Sequence, residues 1–264
     1  NHIGKIIDIH LSYLEAGSDI IQTNTFGSTP IKLKSFKLEN ETEKINENAV
    51  NAANEAVRIH RAKSGDEKPI FIAGDIGPLG KLLEPAGTLK YEDAVSAFSK
   101  QAEILVDKKV DLIIIETMMD LNEALAAIEA TRKISEDIPI ACTLSFSENG
   151  VTIMGNKAED VPGSLINAGS DIVGANCSIG SAAMIGVAGK MRETNPEASL
   201  IFQPNAGLPV IVKGETVYNE TPEVMASNIA KFLPCKPSII GACCGSTPEH
   251  IREIIRVIRN YNNS

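Results

Sequence analysis

Three of the five cysteines occur in a pattern that suits metal binding. Cys243 and Cys244 are adjacent within GACCGS (residues 241–246), and Cys177 lies upstream within GANCS (residues 174–178). A disulfide within the adjacent pair is disfavoured, because neighbouring Cα atoms lie about 3.8 Å apart and disulfides usually need roughly 4.4–6.8 Å. Zinc binds thiolates in a tetrahedron, and a catalytic zinc keeps three protein ligands and one open position. The residues alone leave two interpretations open: a three-thiolate zinc site, or two packed thiols and one unrelated cysteine.

The composition narrows the class of protein. The 264 residues are 43% hydrophobic and 22% charged, with a net charge of -9. These values suit one domain over residues 1–264 and argue against a basic nucleic-acid surface. No run of about 18 apolar residues is present, so the sequence predicts no membrane span. Without a visible signal peptide or a disulfide framework, the five cysteines indicate a reducing compartment, and we expect the cytoplasm.

Short apolar segments alternate with helical patterns along the chain. The expected strands cover residues 19–25, 70–76, 111–116, 140–145, 172–176, 200–203 and 239–241. Near-continuous apolar strands that are each followed by a helix are typical of a parallel sheet buried on both faces. Such a sheet is either doubly wound or closed into a (β/α)8 TIM-type barrel. Because the sequence opens directly into a helical pattern, we expect a barrel that lacks its first strand in this chain.

The placement of polar residues favours the barrel, since barrel sites lie at the carboxyl ends of strands. The residues at such ends are Asn24, Asp75, Glu116, Asn176, Cys177, Asn205, Cys243 and Cys244. With one strand missing in front, Cys177 would end the sixth strand and the cysteine pair the eighth, so that their side chains could converge on one ion. This geometry favours the metal site. Cys142, inside a strand, and Cys235, in a Pro-Cys-Lys-Pro loop, have no partner at ligand spacing.

Two other strand-end residues are candidates for substrate contacts. Glu116 ends an apolar strand, where an unpaired carboxylate is costly, so it either pairs with a fixed Lys or Arg or meets a substrate ammonium. Asn205 stands between Pro204 and an Ala-Gly pair, which is typical of a turn. A second role for Asn205, as a neutral oxygen near the metal, is also open.

Seven stretches together resemble the zinc-dependent homocysteine S-methyltransferase domain, most closely the version at the N-terminus of cobalamin-dependent methionine synthase. They cover nearly the whole chain. The stretches are YLEAGSDIIQTNTFGS (13–28), AGDIGPLGKLLEP (73–85), DLIIIETMMDLNEA (111–124), GANCS (174–178), QPNAGLP (203–209), TVYNETPE (216–223) and GACCGSTPEHI (241–251). The cysteine motifs mark the wider family, while KLLEP and PNAGLP point toward the methionine synthase branch.

The resemblance implies a (β/α)8 barrel with zinc held by Cys177, Cys243 and Cys244, and no catalytic residue beyond this zinc site. It implies that Asn205 fills the fourth zinc position until substrate arrives. Glu116 would hold the amino group of L-homocysteine, and Phe26 would lie beside the substrate. The implied reaction forms methionine by methyl transfer to the homocysteine thiol. The implied donor is methylcobalamin, with methylcobalamin and methyltetrahydrofolate bound by modules outside this chain.

Two features depart from the family pattern. The opening strand, with an Asp-Gly-Ala-Met-Gly stretch that helps to grip homocysteine, is absent from this sequence. The cysteine pair reads GACCGS where GGCCGT is usual. Two alternative functions stay open: a stand-alone methyltransferase that uses betaine or S-methylmethionine as its donor, and a non-catalytic barrel with a structural zinc whose fourth position is closed.

Overall fold

A computed structural model of the chain describes residues 2–65 and 67–263. The strands are Ile20–Gln22 (β1), Phe71–Ile76 (β2), Leu112–Met118 (β3), Ile140–Leu144 (β4), Ile172–Gly180 (β5), Ser199–Asn205 (β6), Val210–Val212 (β7), Glu215–Val217 (β8) and Ile239–Ile240 (β9). The helices are Ile3–Glu15 (α1), Pro30–Lys34 (α2), Thr42–Ser64 (α3), Tyr91–Asp107 (α4), Leu121–Ile134 (α5), Val161–Asn167 (α6), Ser181–Thr194 (α7), Pro222–Phe232 (α8) and Pro248–Asn262 (α9). None of these described helices combines the length and the apolar character needed to cross a lipid bilayer.

Seven strands form one parallel sheet in the order β1, β2, β3, β4, β5, β6, β9. The predicted α/β class and parallel sheet are therefore confirmed, and each predicted strand has a counterpart. β7 and β8 form a separate antiparallel hairpin that the sequence analysis missed. Each of its strands has three residues and is exposed throughout, so the hairpin shows no apolar alternation that could reveal it.

Alternate residues of each strand face opposite sides of the sheet. The outer face packs against the helices, with Ile72 and Ile113 in the large core. The inner face carries a separate aliphatic cluster, of which Ala73 and Ile114 are buried members. Residues from both margins of the sheet pack on this cluster, Ile20 from β1 and Ile239 from β9. The sheet must therefore curl strongly, so that its first and last strands face a common interior.

A cavity of about 1080 Å³ lies between the two margins of the curled sheet. Ile6 of α1 and Ile255 of α9 line its apolar part, and Glu116 and Cys243 line its continuation along the inner face. His10 also lines the cavity, and its Nε2 is buried without a hydrogen-bond partner among the described residues. The carboxyl-end site and the space between β1 and β9 thus form one continuous cavity.

Glu123, in the first turn of α5, ties the loop after β2 to this helix. Its Oε1 accepts a hydrogen bond from the Leu79 backbone N–H at 2.7 Å. Burial raises the pKa of the Glu123 carboxyl to about 7, Asp120 adds to the rise, and the Leu79 hydrogen bond and Lys32 oppose it. The native state therefore keeps this carboxyl protonated over a pH range in which the unfolded chain ionises it.

We expect Glu123→Gln to change how stability depends on pH. Between pH 4.5 and about 7 the unfolded parent releases this proton while the native parent holds it, so the parent loses up to about 3 kcal/mol. The Gln variant keeps an oxygen that can accept the Leu79 hydrogen bond but has no titrating carboxyl. The free energy of unfolding of the variant, relative to that of the parent, should therefore increase as pH rises. Urea denaturation at pH 5 and pH 8 measures this difference. Glu129→Gln is the control, because the Glu129 side chain is partly exposed and its pKa is lowered, first by its hydrogen bond with Lys133 and then by that with Tyr91. A parent–variant difference that is equal at both pH values would contradict this account.

Candidate functional site

The structure brings the three strand-end cysteines together. Cys177 lies in β5, and Cys243 and Cys244 follow β9. The Sγ atoms of Cys177 and Cys244 are 3.7 Å apart, those of Cys243 and Cys244 are 4.0 Å apart, and all three lie within 4.8 Å of one another. Chain positions separated by 67 residues thus meet at the carboxyl end of the sheet, where the sequence analysis placed them.

The dimensions of this cluster suit zinc. Four sulfurs at about 2.3 Å from a tetrahedral zinc would stand about 3.8 Å apart, close to the two observed separations of 3.7 and 4.0 Å. The pKa of the Cys177 thiol is lowered to about 5, chiefly by its hydrogen bond with Cys243, with further hydrogen bonds from the Ser178 backbone, Cys244 and Asn205. Sharing that hydrogen bond, together with burial, raises the pKa of the Cys243 thiol. The cluster therefore holds one favoured thiolate as it stands, and a divalent cation would stabilise the other two.

An unusual backbone conformation aims Cys177 at the cluster. Cys177 and Ser178 have φ values of 57° and 61°, in the left-handed region that residues with a side chain seldom adopt. The pairing of β5 with β6 shifts register between Asn176 and Gly180. This irregularity turns Cys177 out of the strand alternation, and such strain persists only where neighbouring contacts enforce it.

The side chain of Asn176 supplies those contacts. Its Oδ1 accepts hydrogen bonds from the Thr117 backbone N–H and from Thr143 Oγ1, each at 2.8 Å. Its Nδ2 donates to Thr117 Oγ1 at 2.7 Å, and Ser145 Oγ donates to the Asn176 carbonyl at 3.0 Å. One fully buried amide thus connects the ends of β3, β4 and β5 immediately before the first cysteine.

The adjacent cysteines are fixed from the other side by the end of β6. The Cys243 N–H donates to the Pro204 carbonyl at 2.8 Å, and the Ala206 N–H donates to the Cys244 carbonyl at 2.9 Å. Gly245 follows with φ of 80°, and a Cβ there would overlap the ring of Tyr218. Tyr218 also opposes the rise that burial causes in the pKa of the Cys244 thiol. The sequence analysis assigned Tyr218 no role, although it lies in the TVYNETPE stretch.

Asn205 lies beside the thiols at the end of β6. Its side chain contributes to the lowered pKa of the Cys177 thiol, while its Oδ1 is buried without a partner among the described residues. Asn205 is 2% exposed, so this oxygen has no water-filled surroundings to satisfy it. The assignment of this buried amide oxygen as a neutral metal ligand stays a prediction.

Glu116 lies two residues before the end of β3, on the inner face of the sheet and at the same end as the thiols. Gln22 of β1 donates to Glu116 Oε2 at 3.3 Å. Burial raises the pKa of the Glu116 carboxyl to about 7, the Gln22 hydrogen bond lowers it, and the nearby Cys177 raises it. Among residues 2–65 and 67–263, no Lys or Arg forms an ion pair with Glu116. The sequence left two interpretations open for Glu116. Pairing with a fixed Lys or Arg is not observed among the described residues.

Phe26 follows β1 and lies beside Gly77, the residue directly after β2. It is 37% exposed, and the Gly77 N–H donates to its carbonyl at 3.1 Å. A Cβ on Gly77 would overlap the Phe26 ring, so glycine at the end of β2 is what admits this ring. The predicted contact between Phe26 and the substrate stays a prediction.

Exposed apolar side chains surround the carboxyl end of the sheet, and we call them the apolar rim. They come from loops after β2, β3, β4 and β6 and from the β7–β8 hairpin. Its members are Leu82, Met119, Ile153, Met154, Leu208 and Ile211. Their exposed fractions run from 39% to 81%. Most exposed apolar residues on a protein occur singly, whereas neighbouring ones mark contact surfaces.

The two remaining cysteines lie away from the cluster. Cys142 is fully buried in β4, and burial raises the pKa of its thiol. Cys235 is half-buried after α8, and its carbonyl accepts a hydrogen bond from Arg192 Nε at 2.7 Å. Both placements agree with the sequence analysis.

Comparisons with known proteins match this chain to homocysteine methyltransferases. The family model described as homocysteine S-methyltransferase matches residues 2–258. The chain is also similar to crystal structures of the homocysteine methyltransferase MmuM from Escherichia coli. The metallated form has a TM-score of 0.82 at 19% identity, over 96% of this chain and 84% of that one. The oxidised form has a TM-score of 0.82 at 20% identity, over 97% and 85%. The apo form has a TM-score of 0.77 at 18% identity, over 97% and 86%. Likeness at these identities shows a common fold.

We expect Asn176→Ala to destabilise the protein by about 2–4 kcal/mol. The substitution removes four hydrogen bonds, one of them from Asn176 Nδ2 to Cys243 Sγ, and leaves the part-buried Thr117 N–H without its acceptor. Urea denaturation under reducing conditions measures the loss. Asn54→Ala is the matched control, since the exposed Asn54 makes one hydrogen bond within α3. Equal, small losses in both variants would show that the Asn176 amide does not hold the strand ends.

Proposed function

The chain belongs to the homocysteine S-methyltransferase family, and on that premise we propose that it transfers a methyl group to the thiol of L-homocysteine, forming methionine. We further propose that zinc is held by Cys177, Cys243 and Cys244. One observation carries the proposal: three thiols converge, and one of them, Cys243, lines the same cavity as Glu116, a carboxyl that forms no ion pair with a Lys or Arg of the described residues. A substrate with a thiol at one end and an ammonium group nearby matches both features.

The donor set explains why this centre would activate a thiol. The homocysteine thiol has a pKa of about 8.5 in water, so only a small fraction is thiolate at neutral pH. Bound zinc lowers the pKa of a coordinating thiol so that the thiolate, which is the nucleophile, forms at neutral pH. Three cysteinates would bring three negative charges to a divalent ion, and this excess keeps a further sulfur ligand electron-rich.

The other residues of the chain would orient the substrate. Glu116 would hold the ammonium group, which directs the substrate thiol toward the sulfur cluster. Asn205 would supply a neutral oxygen near the metal, easily displaced because an amide is a weaker zinc ligand than a thiolate. Phe26 would cover one side of the bound substrate and exclude water. Asn176 would act through Cys177, whose strained backbone it supports.

Methylcobalamin on another module or chain is the donor that we propose, with methyltetrahydrofolate bound outside this chain as the earlier source. The apolar rim supports a large donor, since a small molecule such as betaine would not contact side chains spread over loops after four strands. The alternative is a stand-alone enzyme that uses betaine or S-methylmethionine. The family and fold are common to both types.

We also propose that residues 1–264 belong to one domain of the (β/α)8 type. Seven parallel strands that curl around a common inner cluster support this architecture. The cavity between β1 and β9 has the apolar lining expected where a further parallel strand would pair with both margins. Gly174 allows β5 to lie close to β6, because a Cβ at this position would overlap the Ile201 carbonyl of β6.

We expect Cys244→Ser to lose most of the bound zinc and at least about 100-fold in methyl transfer, because a hydroxyl is a far weaker zinc ligand than a thiolate. Zinc content per chain, measured by mass spectrometry after purification under reducing conditions, tests the first part. Cys235→Ser, outside the cluster, should retain both zinc and activity. A Cys244→Ser variant with normal zinc and turnover would refute the three-cysteine site. Zinc coordination that does not change on titration with homocysteine would indicate a structural ion instead.

A panel of methyl donors tests the proposed donor class. We expect methionine formation with methylcobalamin and little with betaine or S-methylmethionine. Replacing Ile211 by Glu should lower the rate with a protein-bound methylcobalamin donor and leave the rate with free methylcobalamin nearly unchanged, because the side chain is 71% exposed on the hairpin. Efficient turnover of S-methylmethionine or betaine would select the stand-alone alternative.

A further inference from the structure

A second carboxyl group, Asp75, lies inside the curled sheet near Glu116. Asp75 is two residues after Ala73 on β2, and Ala73 belongs to the inner cluster, whereas Ile72 and Ile76 pack in the outer core. Asp75 therefore shares the inner face with Ala73. It pairs in register with Ile114, two residues before Glu116 on β3. The two carboxyl side chains are thus diagonal neighbours on adjacent strands.

The Asp75 carboxyl is buried, and one of its two oxygens lacks a partner in the part of the chain that the structure describes. It is 5% exposed, and its Oδ1 is buried without a hydrogen-bond donor among the described residues. Burial, and then the charge of Glu116, raise the pKa of the Asp75 carboxyl well above its usual value. Within residues 2–65 and 67–263, neither carboxyl forms an ion pair with a Lys, Arg or His. Two buried acids side by side without a cation are costly, and apolar residues would serve the fold better.

The hydrogen bonds of Asp75 that the structure shows are made by its backbone and not by its carboxyl group. The Asp75 N–H donates to Thr23 Oγ1 at 3.0 Å, and its carbonyl accepts from Thr25 Oγ1 at 2.7 Å and from Gln101 Nε2 at 3.2 Å. These bonds would survive any change of the Asp75 side chain. The local fold around Asp75 therefore does not depend on its carboxylate.

The reach of Gln22 shows where a ligand would meet both acids. Gln22 of β1 donates to Glu116 of β3, so its side chain crosses the inner face of β2, the strand that carries Asp75. Glu116 lines the cavity that also contains Cys243. Asp75 does not itself line this cavity, but its position diagonal to Glu116 places its carboxyl next to a cationic group that Glu116 would bind. An ammonium group carries three N–H donors and can satisfy more than one acceptor.

We propose that Asp75 is the second carboxyl ligand of the substrate ammonium group and that, with Glu116, it makes the site select thiols that carry an amino group. The proposal rests on the homocysteine-binding function proposed above. It assigns Asp75 as a substrate-binding and specificity-determining residue, which the sequence analysis noted only as a polar residue at a strand end.

The test compares two ligands that differ only in the amino group, L-homocysteine and 4-sulfanylbutanoate, by calorimetry on the zinc-loaded chain. Asp75→Asn should weaken homocysteine binding by roughly tenfold to a hundredfold, the loss expected for a charge-assisted hydrogen bond. Binding of 4-sulfanylbutanoate should stay the same or become tighter, because one unpaired acid is gone. Asp75→Ser should behave in the same way and covers the case in which the Asn variant does not fold.

Glu123→Gln is the matched control, since it neutralises another buried carboxyl outside the cavity, and it should bind both ligands as the parent does. Asp75 variants that bind homocysteine as tightly as the parent, or that lose both ligands to the same degree, would overturn the assignment of Asp75 alone. A parent that binds neither thiol would overturn the proposed function and this inference with it.

Discussion

The hydrogen bonds of one buried amide hold the candidate site together. Asn176 joins β3, β4 and β5 at their carboxyl ends and stands directly before Cys177, whose left-handed backbone needs outside support. Parallel strands do not otherwise fix one another beyond their last ladder bond, so side-chain bonds must take over there. The position of the first sulfur relative to the other two therefore depends on contacts that lie outside regular secondary structure.

The inner face of the sheet changes character over a distance of two residues. Ala73 and Ile114 pack in an aliphatic cluster, and Asp75 and Glu116 follow them on the same strands and the same face. The aliphatic layer contributes burial, while the next layer carries groups that a protein interior normally avoids. Stability and ligand recognition are thus divided along the strands, with the reactive layer at the end where loops can admit a substrate.

Much of this arrangement could be predicted from the sequence, because it follows from local patterns. The apolar runs gave the strands, and parallel order places all their carboxyl ends together, so the meeting of Cys177 with Cys243 and Cys244 was foreseeable. The Gln22–Glu116 bond was not, since it joins residues 94 apart across an intervening strand. The positive φ values at Cys177 and Thr117 could not be predicted either, because neither cysteine nor threonine favours that conformation. Tyr218 was missed because it extends from a hairpin that has no burial pattern.

The margins of the sheet have a consequence for self-association. An unpaired strand margin offers backbone donors and acceptors to any extended chain, including a second copy, and proteins limit this hazard with very short strands there. β1 has three residues and β9 has two, so each offers only a brief template. α1 and α9 stand over the same opening and restrict the approach further. Each margin therefore presents only a short stretch of backbone with which another extended chain could pair.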